Sequence, residues 1–246
     1  MCTVSWLRQA EGYELLCNRD ERHTRKLAGG PRISRRNEIS YIAPVDGDHG
    51  GSWIGVNEFG LTLCLLNRYG DPVREPSQQY TSRGLLLTDL LDSRQNQRIP
   101  ERVNDFELDR FRPFAMLALS GDEPAILINW TGQDCIVQRN ADAQMPLTSS
   151  SLSNPTPIEA RRDHFQEMAR ERGTLDVELL HQFHLSHVPE RGPYSVCMHR
   201  DDAATVSLSS VTVTGDSIGF IYQPGSPCLK RSAEKVVIAR TVSPAP

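Results

Sequence analysis

The sequence lacks the features that would place the chain in a membrane or on a nucleic acid. No stretch approaches the roughly 18 consecutive apolar residues of a membrane span, and the start lacks the basic segment and apolar run of a secretory signal. We therefore expect a cytoplasmic protein without a membrane span. The formal net charge is −4 and both signs are scattered along the 246 residues, which excludes the strongly basic face of a nucleic-acid-binding protein.

Cysteine is present, but without the spacing of a metal site or a disulfide framework. The six cysteines lie far apart and form no Cys-x-x-Cys pair: Cys2, Cys17, Cys64, Cys135, Cys197 and Cys228. The pattern predicts neither a zinc site nor a structural disulfide, and we expect no metal and no organic cofactor. Cys17, Cys64 and Cys197 stand in apolar stretches, which favours small buried side chains.

Hydrophobic periodicity predicts hairpins, then helices, then further strands. Helices are predicted after Thr81 or Ser82, from Pro157 to residue 172, and over residues 175–185. Strands are predicted at residues 2–6, 13–18, 52–56, 61–67, 114–119, 125–130, 135–137, 194–198, 205–213, 218–222 and 236–239. Without repeats or linkers, this order predicts one domain over residues 1–246 with an α+β fold, in which helices cover antiparallel sheets.

Cys2 is the first candidate functional residue, because it follows Met1 and begins a predicted strand. Removal of Met1 before a small side chain would leave a residue that carries both a thiol and an α-amine. The reference pKa values are about 8.5 for the thiol and about 7.7–8.0 for the amine. Near neutral pH the amine can therefore accept the thiol proton, so that nucleophile and base reside on one residue. The alternative is a tail cysteine without a function.

Arg19 and Asp20 are the second candidates. If the strands at 2–6 and 13–18 pair in antiparallel fashion, both residues lie beside Cys2. An arginine there lowers the pKa of a thiol and orients a carbonyl, and a carboxylate can hold the α-amine. A surface cluster of charges at a strand end is an equally good interpretation.

A basic run extends from Arg19 to Arg36. It overlaps a polar stretch at residues 22–51, which we interpret as a long loop. The run is either a solvated surface or a gate that attracts an anionic group of a substrate. We expect residues 22–51 and 68–80 to line a small-molecule pocket. The sequence carries no signal of oligomeric state.

Asn67 and Asn154 stand at the ends of predicted elements, where a side-chain amide can donate to an oxyanion. Capping of a turn is the alternative for each of them.

Several motifs in order resemble the NRDE family, which is related to the eukaryotic transport and Golgi organisation 2 proteins. They are Met-Cys-Thr-Val-Ser at the start, Asn-Arg-Asp-Glu at residues 18–21, Gly-Gly-Ser-Trp-Ile-Gly-Val-Asn-Glu-Phe-Gly-Leu at 50–61, Ser-Arg-Gly at 82–84, Leu-Ser-Asn at 152–154 and Met-His-Arg-Asp at 198–201. The pattern is more distantly similar to the choloylglycine hydrolase and penicillin acylase group of N-terminal-nucleophile hydrolases. This resemblance implies a four-layer αββα sandwich.

The resemblance also implies roles for the candidate residues. Cys2 would be the nucleophile, Arg19 and Asp20 its partners, and Asn67 and Asn154 would serve the oxyanion and the α-amine. Asn18 and Arg200 are predicted to bind substrate, with Arg161 or Arg162 as alternatives to Arg200. His199 is interpreted as a structural histidine. Two departures from the hydrolases stand out: Arg19 and Asp20 are adjacent rather than separated by two residues, and Pro155 follows Asn154 directly.

The resemblance implies cleavage of an amide-type C–N bond in a small molecule. The main alternative is a protein of the same fold that binds an acyl-CoA, a lipid or haem without cleaving it. A redox-active or acylated Cys2 is a further alternative, although the second-position glycine of a myristoylation signal is missing.

Overall fold

The computed structural model describes residues 2–69, 79–121, 123–151, 157–229 and 231–241. Two antiparallel sheets contain the strands of the described residues. The strands are β1 (Cys2–Gln9), β2 (Gly12–Arg22), β3 (Gly29–Arg36), β4 (Ile39–Val45), β5 (Ile54–Asn57), β6 (Thr62–Asn67), β7 (Phe114–Leu119), β8 (Ile126–Trp130), β9 (Cys135–Arg139), β10 (Leu147–Thr148), β11 (Ala203–Val213), β12 (Ser217–Pro224) and β13 (Glu234–Ala239). The helices are α1 (Arg83–Leu90), α2 (Ile99–Asn104), α3 (Pro157–Arg172) and α4 (Val177–Leu185).

Each sheet is built from a different part of the chain. The seven-stranded sheet runs in sequence order from β3 to β9, so every connection joins neighbours. The six-stranded sheet has the order β10-β1-β2-β11-β12-β13 and unites the two ends of the chain. Because β2 lies between β1 and β11, its residues 13–19 are paired on both sides.

Alternating side chains on these strands build three buried layers of contact. The inner faces of both sheets pack together, with Val4 and Leu15 of one sheet in the same apolar cluster as Ile54 of the other. The outer face of the seven-stranded sheet packs against α1 and α2. On the opposite side, Leu16 contacts the apolar faces of α3 and α4. The predicted αββα sandwich is confirmed.

The sequence prediction differs from the structure in several places. Residues 22–51 are not one loop, because β3 and β4 form a hairpin there. Residues 194–198 are not a strand: the amide of Cys197 donates to the carbonyl of Ser186, and that of Met198 to Oγ1 of Thr205. The short helix α2 was not predicted. The helices at α1, α3 and α4 are confirmed within about two residues of the prediction.

Within the described ranges, no helix combines the length and apolarity that crossing a bilayer requires.

Candidate active site

Cys2 begins β1 directly opposite Arg19 of β2. The antiparallel pairing expected from the sequence is therefore present, and it places both residues on the inner face of the six-stranded sheet. The side chain of Cys2 is buried at 7% exposure, yet it borders a cavity between the two sheets. The cavity has a volume of about 370 Å³.

Arg19 is held in a fixed orientation above an aromatic ring. Its guanidinium carbon lies 4.2 Å from the centroid of the Trp53 ring, and Nη2 lies 2.6 Å from Oδ2 of Asp46. A second carboxylate, Glu21, is 3.4 Å from the same nitrogen. Although burial opposes it, the Arg19 charge helps to hold the pKa of Asp46 below its ordinary value. The charge of Arg19 is thus largely balanced before any ligand arrives.

Asp20 borders the cavity, but its carboxylate lies in a different layer from the Arg19 side chain, because successive residues of a strand point to opposite faces. Oγ1 of Thr205 donates to Oδ1 of Asp20 at 2.6 Å, and Nη1 of Arg161 lies 3.5 Å from Oδ2. Both charged side chains are completely buried. A register shift between Thr205 and Ser207 of β11 accompanies this contact. Although Arg19 and Asp20 are adjacent in the sequence, their side chains therefore lie in two different environments.

Arg161 connects this buried carboxylate to the start of β1. The guanidinium, which comes from α3, also donates to Oγ1 of Thr3 at 3.1 Å and to Oγ1 of Thr148 at 3.2 Å. Burial lowers the pKa of Arg161, while the neighbouring Asp20 raises it. The sequence offered Arg161 only as an alternative to Arg200, and the structure places Arg161 at the buried carboxylate.

The backbone nitrogen of Cys2 has a side-chain partner that the sequence did not suggest. It donates to Oγ of Ser149 at 3.0 Å, and the amide of Ser149 donates back to the carbonyl of Cys2 at 3.0 Å. Ser149 directly follows β10, which pairs with β1 at Thr3 and Val4. The only signal in the sequence is a run of three serines, residues 149–151, after a short β-prone segment.

The opposite wall of the cavity carries Asn67 and two arginines. Asn67 ends β6, and its Nδ2 donates to the hydroxyl of Tyr69 at 2.9 Å. Arg83 begins α1 and donates through Nη1 to the carbonyl of Pro113 at 2.8 Å, whereas the exposed Arg112 lies over the Tyr80 ring at 5.2 Å. Sequence reasoning missed both arginines as site residues.

Two glycines explain how α1 reaches the cavity. The amide of Ser52 donates to the carbonyl of Gly84 at 3.1 Å, so the segment before β5 touches the first turn of α1. A Cβ atom on Gly51 would lie 2.3 Å from the carbonyl carbon of Gly84. Only glycine permits this approach of two backbones, which accounts for the Gly-Gly-Ser-Trp and Ser-Arg-Gly motifs.

The charge of the cavity is asymmetric. Asp46 and Glu21 balance Arg19 on one side, but neither Arg83 nor Arg112 has a carboxylate partner among the described residues. Burial lowers the pKa of Arg83. The lining comprises Cys2, Arg19, Asp20, Glu21, Arg25, Asp46, His49, Ser52, Trp53, Leu65, Asn67, Tyr80, Thr81, Ser82, Arg83, Gly84 and Arg112.

The Cys2 thiol itself is protonated at neutral pH. Its contact with the Cys17 thiol and its burial raise the pKa well above the ordinary value. A nucleophilic role therefore requires a nearby base.

Two of the predicted site residues that the structure describes are not brought into the cavity. Nδ2 of Asn18 is buried and donates to the carbonyls of His184 and Val196 at 2.9 and 3.0 Å, so the predicted contact with substrate does not fit its position. Arg200 pairs with Asp202 at 2.8 Å and does not line the cavity, which likewise disagrees with its predicted role. Asn154 lies outside the described residues.

Metal-binding side chains gather elsewhere. Among the described residues, one cluster of histidine and cysteine side chains has the spacing of a metal site, and none of its four members lines the cavity: His187, Cys197, His199 and Cys228.

Residues 1–219 match the sequence profile of the family described as Transport and Golgi organisation 2. The chain belongs to this family. No curated protein has a sequence that matches the chain. The fold of this Transport and Golgi organisation 2 protein is similar to that of several solved structures, which confirms the expected fold of the N-terminal-nucleophile hydrolase type.

Three of these structures illustrate the similarity. Penicillin V acylase from Agrobacterium tumefaciens superposes with a TM-score of 0.57 at 9% identity, over 96% of this chain and 86% of that one. The N-acylethanolamine-hydrolyzing acid amidase orthologue of Caenorhabditis elegans has a TM-score of 0.56 at 15% identity, over 94% of each chain. Conjugated bile acid hydrolase from Clostridium perfringens, solved as its C2A mutant, has a TM-score of 0.54 at 10% identity, over 100% and 99%. At these identities the similarity shows the shared fold alone.

Proposed function

We propose that this protein is an N-terminal-nucleophile cysteine hydrolase that cleaves an amide bond, with Cys2 as the nucleophile after removal of Met1. One observation carries the proposal: Cys2 borders the cavity, and its backbone nitrogen is fixed there by the Ser149 hydroxyl at 3.0 Å. After removal of Met1 this nitrogen becomes an α-amine that Ser149 can orient. The likeness to three amide-cleaving enzymes supports the same chemistry.

The raised pKa of the Cys2 thiol makes the amine necessary. Close to neutral pH, an α-amine with a pKa of about 7.7–8.0 is partly unprotonated. It therefore accepts the Sγ proton while Sγ attacks the carbonyl carbon of the amide. Without this base the thiol stays protonated, because Arg19 is already balanced by Asp46 and Glu21.

The reaction proceeds in two steps of acyl transfer. In the first, the new S–C bond forms, the C–N bond breaks, and the α-ammonium returns its proton to the departing nitrogen. In the second, water attacks the thioester carbon, gives a proton to the amine, and the S–C bond breaks. The products are a carboxylic acid and an amine, and the Cys2 thiol recovers its proton.

Asn67 is our candidate for oxyanion stabilisation. Its side-chain amide lies at the cavity wall, and its present partner is the hydroxyl of Tyr69. Exchange of that partner for a developing oxyanion would contribute about 3 kcal/mol to transition-state stabilisation. Asn154 remains a second candidate donor from the sequence. Arg19 and Asp20 act in this scheme as positioning residues, since both are held by other protein groups.

Arg83 and Arg112 point to the substrate class. Two guanidinium groups without carboxylate partners in the described part of the chain favour a ligand that carries a carboxylate or a phosphate beside its amide bond. N-acyl amino acids have this chemistry, whereas N-acyl ethanolamines share the amide and lack the anion.

The experiment begins with intact-mass measurement, which shows whether Met1 is absent. The protein is then incubated with N-acyl amino acids and N-acyl ethanolamines, and released carboxylic acid is measured. Acid quenching during turnover traps the thioester, which adds the acyl mass to the peptide that begins at Cys2. The Cys2→Ala variant serves as the inactive enzyme, and Cys17→Ala serves as a control that removes a buried thiol next to it. Retention of Met1, or equal turnover by Cys2→Ala, would sink the proposal.

Binding without cleavage is the second candidate, and the burial of Cys2 favours it. In that case acyl-CoA, lipid or haem occupies the cavity and no acid is released. Equal affinity of the wild-type protein and Cys2→Ala for such a ligand, together with no thioester on any tested amide, would support binding over catalysis.

A further inference from the structure

Four side chains from distant parts of the sequence converge beside β11. His187 follows α4, Cys197 and His199 precede β11, and Cys228 lies in a short 3₁₀ turn after β12. One ligand atom from each lies within 4.8 Å of all the others. We propose that these four residues bind one zinc ion.

The distances fit a tetrahedral ion. Nε2 of His199 lies 3.2 Å from Nε2 of His187, 3.5 Å from Sγ of Cys197 and 3.6 Å from Sγ of Cys228. Zinc bonds of about 2.0–2.3 Å at tetrahedral angles separate such ligand atoms by roughly 3.3–3.8 Å. The cluster thus has the dimensions of a Cys₂His₂ site with little rearrangement.

Hydrogen bonding alone cannot satisfy this arrangement. Nε2 of a neutral imidazole carries either one proton or one lone pair, so it makes one good hydrogen bond. Here three partners converge on Nε2 of His199. A central cation satisfies all four ligand atoms at once, with each bond directed inward.

The ligand set selects zinc by its chemistry. Two thiolates and two imidazoles in tetrahedral geometry are typical of zinc, whereas magnesium and calcium prefer oxygen ligands. Binding displaces two thiol protons, so two thiolate charges balance the ion. Cys197 is buried and the other three side chains are half-buried, which leaves a path for the ion to enter.

Arg191 is the cation next to this cluster. Its Nη2 lies 3.4 Å from Nδ1 of His199. When Nε2 binds the ion, Nδ1 carries a proton and no longer accepts from Arg191. Because the Arg191 side chain is exposed, it can turn toward solvent at small cost.

The site would hold the segment behind the buried pair of Asp20 and Arg161. In that segment the carbonyl of Pro193 accepts from Arg161 at 3.3 Å, and the carbonyl of Val196 accepts from Asn18 at 3.0 Å. With four protein ligands the ion has no open position, which is typical of a structural site. The sequence analysis did not predict this metal site, because the cysteines form no Cys-x-x-Cys pair.

Metal analysis tests the proposal on the full chain. We expect about one zinc per protein after growth with zinc and dialysis, and at least tenfold weaker cobalt binding by Cys197→Ser and by Cys228→Ser. Cobalt(II) added to the metal-free wild-type protein should give a thiolate-to-cobalt charge-transfer band. Cys135→Ser is the matched control, since Cys135 is half-buried in β9, outside the cluster.

A second measurement uses only the wild-type protein, in case a variant fails to fold. Zinc should protect two thiols from alkylation, and peptide mapping should identify them as Cys197 and Cys228. Any of four results would overturn the proposal. Two concern the metal: substoichiometric zinc, or a cobalt spectrum without the thiolate band. Two concern the thiols: equal alkylation with and without zinc, or a disulfide between Cys197 and Cys228 in the purified protein.

Discussion

The cavity at Cys2 and the cluster at His199 surround their thiols with different basic groups. Four arginines, Arg19, Arg25, Arg83 and Arg112, line the cavity, and a guanidinium attracts anions but does not bind metals. Imidazoles surround Cys197 and Cys228, and an imidazole offers a lone pair to an ion. The Cys2 thiol instead contacts another thiol, that of Cys17, which raises its pKa.

This difference teaches that burial alone does not assign a role to a cysteine. Cys2 and Cys197 are both buried. The first borders a cavity and has a backbone nitrogen that can become a base, whereas the second faces three other ligand atoms. The expected chemistry therefore follows from the neighbouring groups, and we expect that each site can be removed without loss of the other.

The largest expected effect is a double dissociation between the two sites. Cys2→Ala should lower amide hydrolysis at least about 10³-fold, the scale of loss when a nucleophile is removed, while zinc content stays at the wild-type value. Cys197→Ser should lose zinc but still form the thioester on Cys2 under conditions in which the protein is folded. Turnover assays, trapped-intermediate mass spectrometry and elemental analysis on the same samples provide the comparison. Loss of both properties in both variants would show one coupled site.

The next effect concerns the buried pair that lies between the two regions. Arg161→Met should lower the free energy of unfolding by about 3–5 kcal/mol, because it removes one partner of a completely buried ion pair with Asp20. Urea denaturation followed by circular dichroism measures the change. Arg172→Met is the control: it removes an arginine at the end of the same helix, α3, from a partly exposed pair with Asp176 at the start of α4, and it should leave the midpoint nearly unchanged. A similar small effect for both variants would contradict the buried pair.

A smaller effect is expected from pH. Burial lowers the pKa of His184 to about 3, and its Nε2 is 2.9 Å from Oγ of Ser5. Below pH 6.5 the unfolded chain binds a proton at this residue and the folded chain does not, so stability falls as pH decreases toward 3. Between pH 7 and 5 the loss amounts to about 2 kcal/mol.

The matched variant for this pH effect is His184→Gln. It should reduce the slope of the unfolding free energy against pH between 7 and 5 by about one proton, whatever its effect on absolute stability. His164, His187 and His199 shift in the same direction and remain in both proteins. An unchanged slope would show that His184 is protonated in the folded state.

The sequence predicted the strand pair that forms the site, and the reason is local. Alternation along residues 2–6 and 13–18 and antiparallel geometry together place Cys2 opposite Arg19. The same alternation points the side chains of Arg19 and Asp20 to opposite faces of the sheet, so the two adjacent residues lie in different environments. By contrast, the polar strand β3 at a sheet edge carries little apolar pattern, so residues 22–51 resembled a loop.

Groups that meet only through tertiary packing could not be predicted. Arg83 reaches the cavity because Gly51 and Gly84 touch, and no spacing in the sequence reports that contact. Ser149 becomes the partner of the Cys2 nitrogen through the two-residue strand β10. The apolar residues Val196 and Cys197 led to the prediction of a strand. Their segment lies between α4 and β11 and is not paired in a β-ladder.

The smallest expected effect concerns the arginines of the cavity and their recognition of an anionic substrate. Arg83→Met should raise the KM for an N-acyl amino acid about tenfold, since a charge-assisted hydrogen bond to a carboxylate contributes about 1.5–3 kcal/mol and Arg112 remains. The KM for an N-acyl ethanolamine should stay close to the wild-type value. Arg98→Met, which changes an exposed arginine outside the cavity lining, is the control for net charge. Equal changes of KM for both substrates would assign Arg83 to the shape of α1, through its bond to Pro113, rather than to recognition of an anion.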